Sequence, residues 1–136
     1  IHLVRESALA ISFGKKYQPL VADPRPLISV VTEGELRSLV HQWKWGQRKK
    51  EQAQFFLQYF WRIPVDNEDV FAAYAMIDAF SESIGYSMGK NDLWIAAAAI
   101  ATGAIIVTTD TDFDHLQPTF LSIDRIDPEP YRPIKS

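Results

Sequence analysis

The sequence predicts an α/β fold of three layers, α/β/α, with helices on both faces of a central, mostly parallel sheet and an αα-hairpin among them. Three observations predict it. Short apolar runs rich in β-branched residues, Leu27–Val31 (LISVV) and Ala104–Val107 (AIIV), read as strands buried on both faces. These runs alternate with stretches of helical periodicity, the pattern of a parallel sheet joined by right-handed crossovers. The 136 residues, 47% hydrophobic and 23% charged, suit one domain with a substantial core.

Taken in order, Ile1–Val4 is apolar, a strand end or the start of a loop. Arg5–Tyr17 carries Ala8, Leu9 and Ile11 and reads as a short helix closed by Lys15, Lys16 and Tyr17. Leu20–Pro26 is a loop, where Pro24 and Pro26 bias their predecessors toward extended backbone. Leu27–Val31 follows as a strand. Thr32 is the expected N-cap of the next helix, with Glu35 at the capping-box position three residues on; Leu36, Leu39, Val40 and Trp43 are its apolar stripe. Trp45-Gly46 breaks that pattern. A second helix over Gln47–Trp61, with Phe55, Phe56, Tyr59 and Phe60 as its apolar face, completes the hairpin. Arg62–Val65 reads as a brief strand. Asp66 or Asn67 caps a further helix in which Val70, Tyr74, Ile77 and Ile84 face inward, and Gly85–Gly89 is a loop.

Lys90–His115 organises the chain. Asn91 is the expected N-cap, and Asp92 stands in the first turn, where the helix dipole favours a carboxylate. Leu93, Ala96, Ala97, Ile100 and Ala101 recur at helical spacing, and the small alanines allow close packing. Gly103 ends the helix as a C′ residue. Strand Ala104–Val107 leads into the acidic loop Thr108, Thr109, Asp110, Thr111, Asp112. Phe120–Ile123 is a last short strand, and residues 126–136, with Pro128, Pro130 and Pro133, form an irregular tail.

The chain has no cysteine, which excludes a disulfide scaffold and a thiolate zinc site and points to an intracellular, cytoplasmic protein. No run of about 18 apolar residues predicts a membrane span. A net charge of −3 makes no global case for nucleic acid, so any such contact needs a local patch. Two patches qualify: Lys44, Arg48, Lys49 and Lys50 near the hairpin turn, and Arg5, Lys15, Lys16 and Arg25. A solvated helix end explains the first equally well.

The chemistry lies in the acids. Glu35 falls one turn beyond the carboxyl end of Leu27–Val31, Asp92 opens an Ala-rich helix, and Asp110 and Asp112 follow Ala104–Val107. In a parallel sheet all of them meet at one carboxyl edge, where open α/β sheets bind ligands. Singly, each has a bland reading as a capping partner, a helix-terminal charge or a turn acid. Jointly they repel at about 4–6 Å, and a divalent cation relieves the repulsion. All-oxygen donors favour Mg²⁺ or Mn²⁺ over zinc. Such an ion orients and acidifies a water and neutralises a phosphodiester transition state.

Three stretches, Ser29–Arg37 (SVVTEGELR), Lys90–Ala99 (KNDLWIAAAA) and Ile105–Phe113 (IIVTTDTDF), resemble the PIN domain, most closely its VapC-like toxin branch. The resemblance spans nearly the whole chain. It implies a Mg²⁺- or Mn²⁺-dependent endoribonuclease of α/β/α fold that acts on RNA, is neutralised by a cognate antitoxin and commonly forms a homodimer. Glu35 matches the family's glutamate, Asp92 its helix-start aspartate, Asn91 the asparagine beside it, Asp110 and Asp112 the acids of its last motif, and Thr108 its threonine. The resemblance implies metal ligation by the four acids during in-line attack of water on the phosphodiester. One departure stands out. The family's first acid ends the first strand in an L-D-T-N-like segment, expected here immediately before Ile1, so that a short N-terminal piece carrying the central strand is expected to precede this sequence. A non-catalytic PIN-like binding module is the alternative, and a HAD-like phosphatase built on Asp110-Thr111-Asp112 a weaker one, because that motif normally opens its domain.

Trp43, Trp45, Phe55, Phe56, Tyr59, Phe60 and Trp61 are many aromatics for one short hairpin. They read either as core or as a dimer or antitoxin surface. His2, His41 and His115 are scattered and do not read as ligands.

Overall fold

Strand β1, His2–Val4, lies at the centre of a five-stranded sheet in the computed structural model, which describes residues 2–4, 26–42, 46–58 and 60–125. On one side come β2 (Leu27–Ser29) and the edge strand β3 (Trp61–Ile63); on the other come β4 (Ile105–Thr108) and β5 (Ile123–Arg125). Every pairing is parallel, with Leu3 opposite Leu27 and Ile106, and Val4 opposite Ile28 and Val107. The central strand is therefore within the sequence rather than before Ile1. Three residues are too few for strand periodicity to show, so only the pairing register identifies it.

The strands bury both faces. Leu3, Leu27 and Ile106 join a core cluster with α3 (Glu68–Ser83) and α4 (Lys90–Thr102). Ile28 and Val107, also buried, alternate to the opposite side. The hairpin helices α1 (Val30–Gln42) and α2 (Gln47–Leu57) bury Leu36, Val40, Ala53 and Leu57. Three layers result, as expected.

Several boundaries differ from the sequence reading. Strand β2 runs into α1 with no loop: the cap is Ser29, whose Oγ accepts the Val31 N–H at 3.1 Å, and Thr32 is buried inside the first turn. Val30 and Val31 read as strand by propensity, but tertiary packing overrides so weak a preference. In α4 the cap is Gly89, with Asn91 exposed in the first turn. Helix α2 stops at Leu57 and turns Ala53 and Leu57 inward, leaving Phe55 exposed. Asn67 caps α3 through the Val70 N–H at 3.0 Å; Val70, Ala73 and Ile77 face inward, but Ile84, past the helix end, is exposed. Strand β4 ends at Thr108, and β5 begins three residues later than Phe120. Gly103 takes the left-handed conformation, φ +68°, that its place after α4 requires. The expected helix over Arg5–Tyr17, the following loop to Arg25 and the tail from Ile126 lie outside the described residues. No helix among the described residues is long and apolar enough to cross a membrane.

Candidate active site

The strand order reverses between β1 and β4, and the carboxyl ends of strands at such a reversal frame a crevice. The acidic loop leaves β4 at that point. Helix α1 leaves the carboxyl end of β2, and α4 begins at the same edge because its chain returns to enter β4. Helix α1, which carries Glu35, touches helix α4, which carries Asp92.

Within the loop, local hydrogen bonds set each acid. Thr108, fully buried at the end of β4, accepts the Asp110 N–H on Oγ1 at 3.3 Å. Asp110 Oδ1 accepts the Asp112 N–H at 3.2 Å, an Asx turn that a short acidic side chain forms with its own backbone. Arg125 of β5 donates to the Asp110 carbonyl at 3.3 Å and pairs with the Asp114 carboxylate. Asp114 is thereby a brace rather than a member of the acid group. The next residue but one before it, Asp112, is exposed. Phe113, fully buried, pins the loop to the core.

Asp92 and Asp112 line one cleft of about 130 Å³ with Tyr86, Ser87, Met88 and Gly89. Asp92 is half-buried, its Oδ2 beside Gly89, where a Cβ would stand 3.8 Å away. Burial, then the carboxylates of Asp112, Asp92 and Asp110 in that order, push the Tyr86 phenol above its ordinary range. Two of the four predicted acids, Asp92 and Asp112, share the cleft with this tyrosine. Glu35, half-buried on α1, is not among the residues lining this cleft. Its neighbour Glu33 is occupied elsewhere, 2.7 Å from Arg62 of the edge strand. Asp110-Thr111-Asp112 follows the fourth strand, not the first, where a phosphatase of that motif would carry it. After β1 the sequence continues Arg5, Glu6, so the position following the first strand holds no aspartate.

The sequence reading did not single out Tyr86, and it set His115 aside as one of three scattered histidines. His115 sits in a short 3₁₀ turn, Asp114–Leu116, half-buried, with Nε2 2.8 Å from Ser81 Oγ and its ring 4.1 Å from that of Tyr86. No spacing in the sequence marks these three, which come from a helix, a loop and a turn. Burial lowers the His115 pKa. The folded protein therefore binds this proton less tightly than the unfolded chain, and the contribution is fully present above the unfolded pKa of 6.5 and is lost as pH falls through the folded value. Between pH 7.5 and pH 5.5 the wild type is expected to lose more melting temperature than His115→Gln does, by circular dichroism; equal losses would show that the ring titrates alike in both states.

Whether these residues suit a divalent cation depends on their donors and number. All are carboxylate oxygens, the donors of Mg²⁺ and Mn²⁺. Among the described residues no three His, Cys, Asp or Glu side chains form a ready-made cage. Two carboxylates share an open polar cleft, and Mg²⁺ is held in that way, by one or two carboxylates with water and substrate oxygens completing the octahedron. The residues fit the ion.

The profile of the PIN domain family matches residues 1–117. No curated protein sequence matches the chain. Among solved structures it resembles VapBC2 from Rickettsia felis bound to a promoter DNA fragment, with a TM-score of 0.77 and 23% identity over 93% of this chain and 100% of that one. It also resembles VapBC-5 from Mycobacterium tuberculosis, a member of the VapBC family of toxin–antitoxin systems, with a TM-score of 0.67 and 25% identity over 92% and 98% of the two chains. A third is FitAcB from Neisseria gonorrhoeae, with a TM-score of 0.72 and 20% identity over 90% and 96%. At 23% and 20% identity, the first and third speak for the fold alone.

Proposed function

This chain belongs to the PIN domain family, and on that premise we propose that it is a VapC-like toxin: a metal-dependent endoribonuclease that hydrolyses RNA phosphodiesters in the cytoplasm and is neutralised by a cognate antitoxin. The observation that carries the reading is the cleft at the strand-order reversal, which Asp92 and Asp112 line together. Asp92, Asp110 and Asp112, with Glu35 from the touching helix α1, would hold Mg²⁺ or Mn²⁺. A bound ion supplies Lewis-acid stabilisation of the phosphodiester transition state and lowers the pKa of water. The chain's own residues hold the arrangement. Thr108 and the Asx turn orient Asp110 and Asp112, Arg125 ties the loop to β5, and the start of α4 sets Asp92 at the helix's electropositive end.

The kinship with toxin–antitoxin complexes supports an antitoxin partner. The surface we assign to it is the hairpin groove of about 510 Å³ whose lining includes Arg37, Trp61 and Arg62. The exposed apolar side chains Phe71 and Met76 of α3 are the surface we assign to a homodimer.

The test is cleavage of a total small-RNA pool by the partner-free protein with Mg²⁺, with Mn²⁺ and with EDTA. Discrete fragments that require the metal are expected. The rival reading, a binding module that keeps the fold without the chemistry, is favoured by Arg5 and Glu6 standing where the family carries its first acid. It predicts no cleavage and no calorimetric heat at millimolar Mg²⁺.

A further inference from the structure

We propose that Tyr86 is a substrate-positioning residue, its hydroxyl donating a hydrogen bond to a phosphate oxygen of the RNA strand held in the Asp92–Asp112 cleft. The proposal rests on the nuclease reading above.

Three features hold Tyr86 in place. Helix α3 ends in a Schellman turn: the Gly85 N–H donates to the Glu82 carbonyl at 3.0 Å and the Tyr86 N–H to the Ser81 carbonyl at 2.8 Å. The turn needs a left-handed residue, and Gly85 supplies it at φ +75°. The chain then doubles back and sets the tyrosine against His115, ring centroids 4.1 Å apart at 30°. The imidazole is itself fixed, by the Ser81 hydroxyl at 2.8 Å and by the parallel ring of Phe80 at 6.5 Å. So a loop residue, 37% exposed, is anchored at its backbone and along its ring.

The chemistry of the cleft says what such an anchor is for. Among the described residues its lining contains two carboxylates and no Lys, Arg or His. An ionised carboxylate has only acceptors and offers a phosphodiester no hydrogen bond. Of the described lining side chains, Tyr86 and Ser87 alone bring O–H donors. A phenol is protonated at neutral pH, a neutral donor that contacts an anionic oxygen without adding charge. Tyr86 differs from Ser87 in having both its backbone and its ring fixed, so its donor costs little further ordering when the strand binds.

Tyr86→Phe tests this, because it removes the hydroxyl and keeps the ring on His115. The substrate is a short synthetic RNA spanning a site that the wild type cuts in the small-RNA pool. The expected result is a KM raised about tenfold, the loss of one hydrogen bond to a charged oxygen, with kcat within about twofold, since the contact is made in ground and transition states alike. Mn²⁺ binding by calorimetry and the melting curve stay at wild-type values. An unchanged KM overturns the proposal. So does a raised KM with Mn²⁺ affinity falling in step, which would make the hydroxyl part of the metal site. Wild-type protein that cleaves no RNA at all sinks the nuclease reading itself, and this assignment with it; a wild type that cleaves beside an indifferent Tyr86→Phe sinks this assignment alone.

Discussion

Replacing Asp92 by Asn is expected to slow RNA cleavage by about a thousandfold and to leave the fold standing. The side chain sits in the first turn of α4, half-buried, on the wall it shares with Asp112. Asparagine has nearly the same shape, so the packing of Leu93, Ile95 and the buried alanines behind it is untouched. What disappears is a negative charge. A bound divalent cation contributes several kcal/mol of transition-state stabilisation, and each 1.36 kcal/mol is a factor of ten in rate. On the proposed reading Asp92 is one of the two carboxylates that line the cleft among the described residues, and losing it forfeits most of that. The same charge also interacts with the helix dipole, worth about 0.3–1 kcal/mol, so a small fall in melting temperature accompanies the large fall in rate. Initial rates in Mg²⁺ beside circular-dichroism melts separate the two effects. A variant that cuts within tenfold of wild type would remove Asp92 from the site.

Phe113→Ala carries the largest expected cost in stability. Phe113 has no solvent exposure and belongs to the main core cluster with Leu116 and Leu121. Truncating a buried phenylalanine costs about 3–5 kcal/mol, as lost transfer energy and an unfilled cavity. That is a large part of the about 5–15 kcal/mol a domain has in all. Urea unfolding should show the midpoint falling with an unchanged slope. The position matters beyond stability, because Phe113 follows Asp112 directly and is the loop's anchor in the core. Cleavage by the variant is therefore expected to fall even at temperatures where it remains folded. A cost below about 1 kcal/mol would show that the loop is held instead by Arg125 and Thr108.

The acidic positions are legible in the sequence because their local settings recur there: a helix start in Asn91-Asp92, a strand followed by Asp110-Thr111-Asp112, and a glutamate soon after Leu27–Val31. The buried strands and Ala-rich helix were legible for a like reason, since burial on both faces leaves an unbroken apolar run. Gly103 and Asn67 marked helix ends through backbone chemistry that belongs to single residues.

What composition and period determined, then, was the α/β class, the hairpin and the edge where the acids lie. Only the folded chain decided the rest. Ser29 rather than Thr32 caps α1, because β2 enters the helix without a loop and the cap is set by where the sheet ends. His2–Val4 is the central strand because both its neighbours pair with it, a fact held in register and not in its three residues. Asp114 is drawn off to Arg125, eleven positions away, while Asp92 and Asp112 are brought together from either side of β4. Tyr86, Ser81 and His115 meet only because a helix end, a loop and a turn are packed on one another. A local interaction leaves its trace in residue type and spacing; a contact between distant segments leaves none, because its energy is gained only once the sheet has closed the intervening chain.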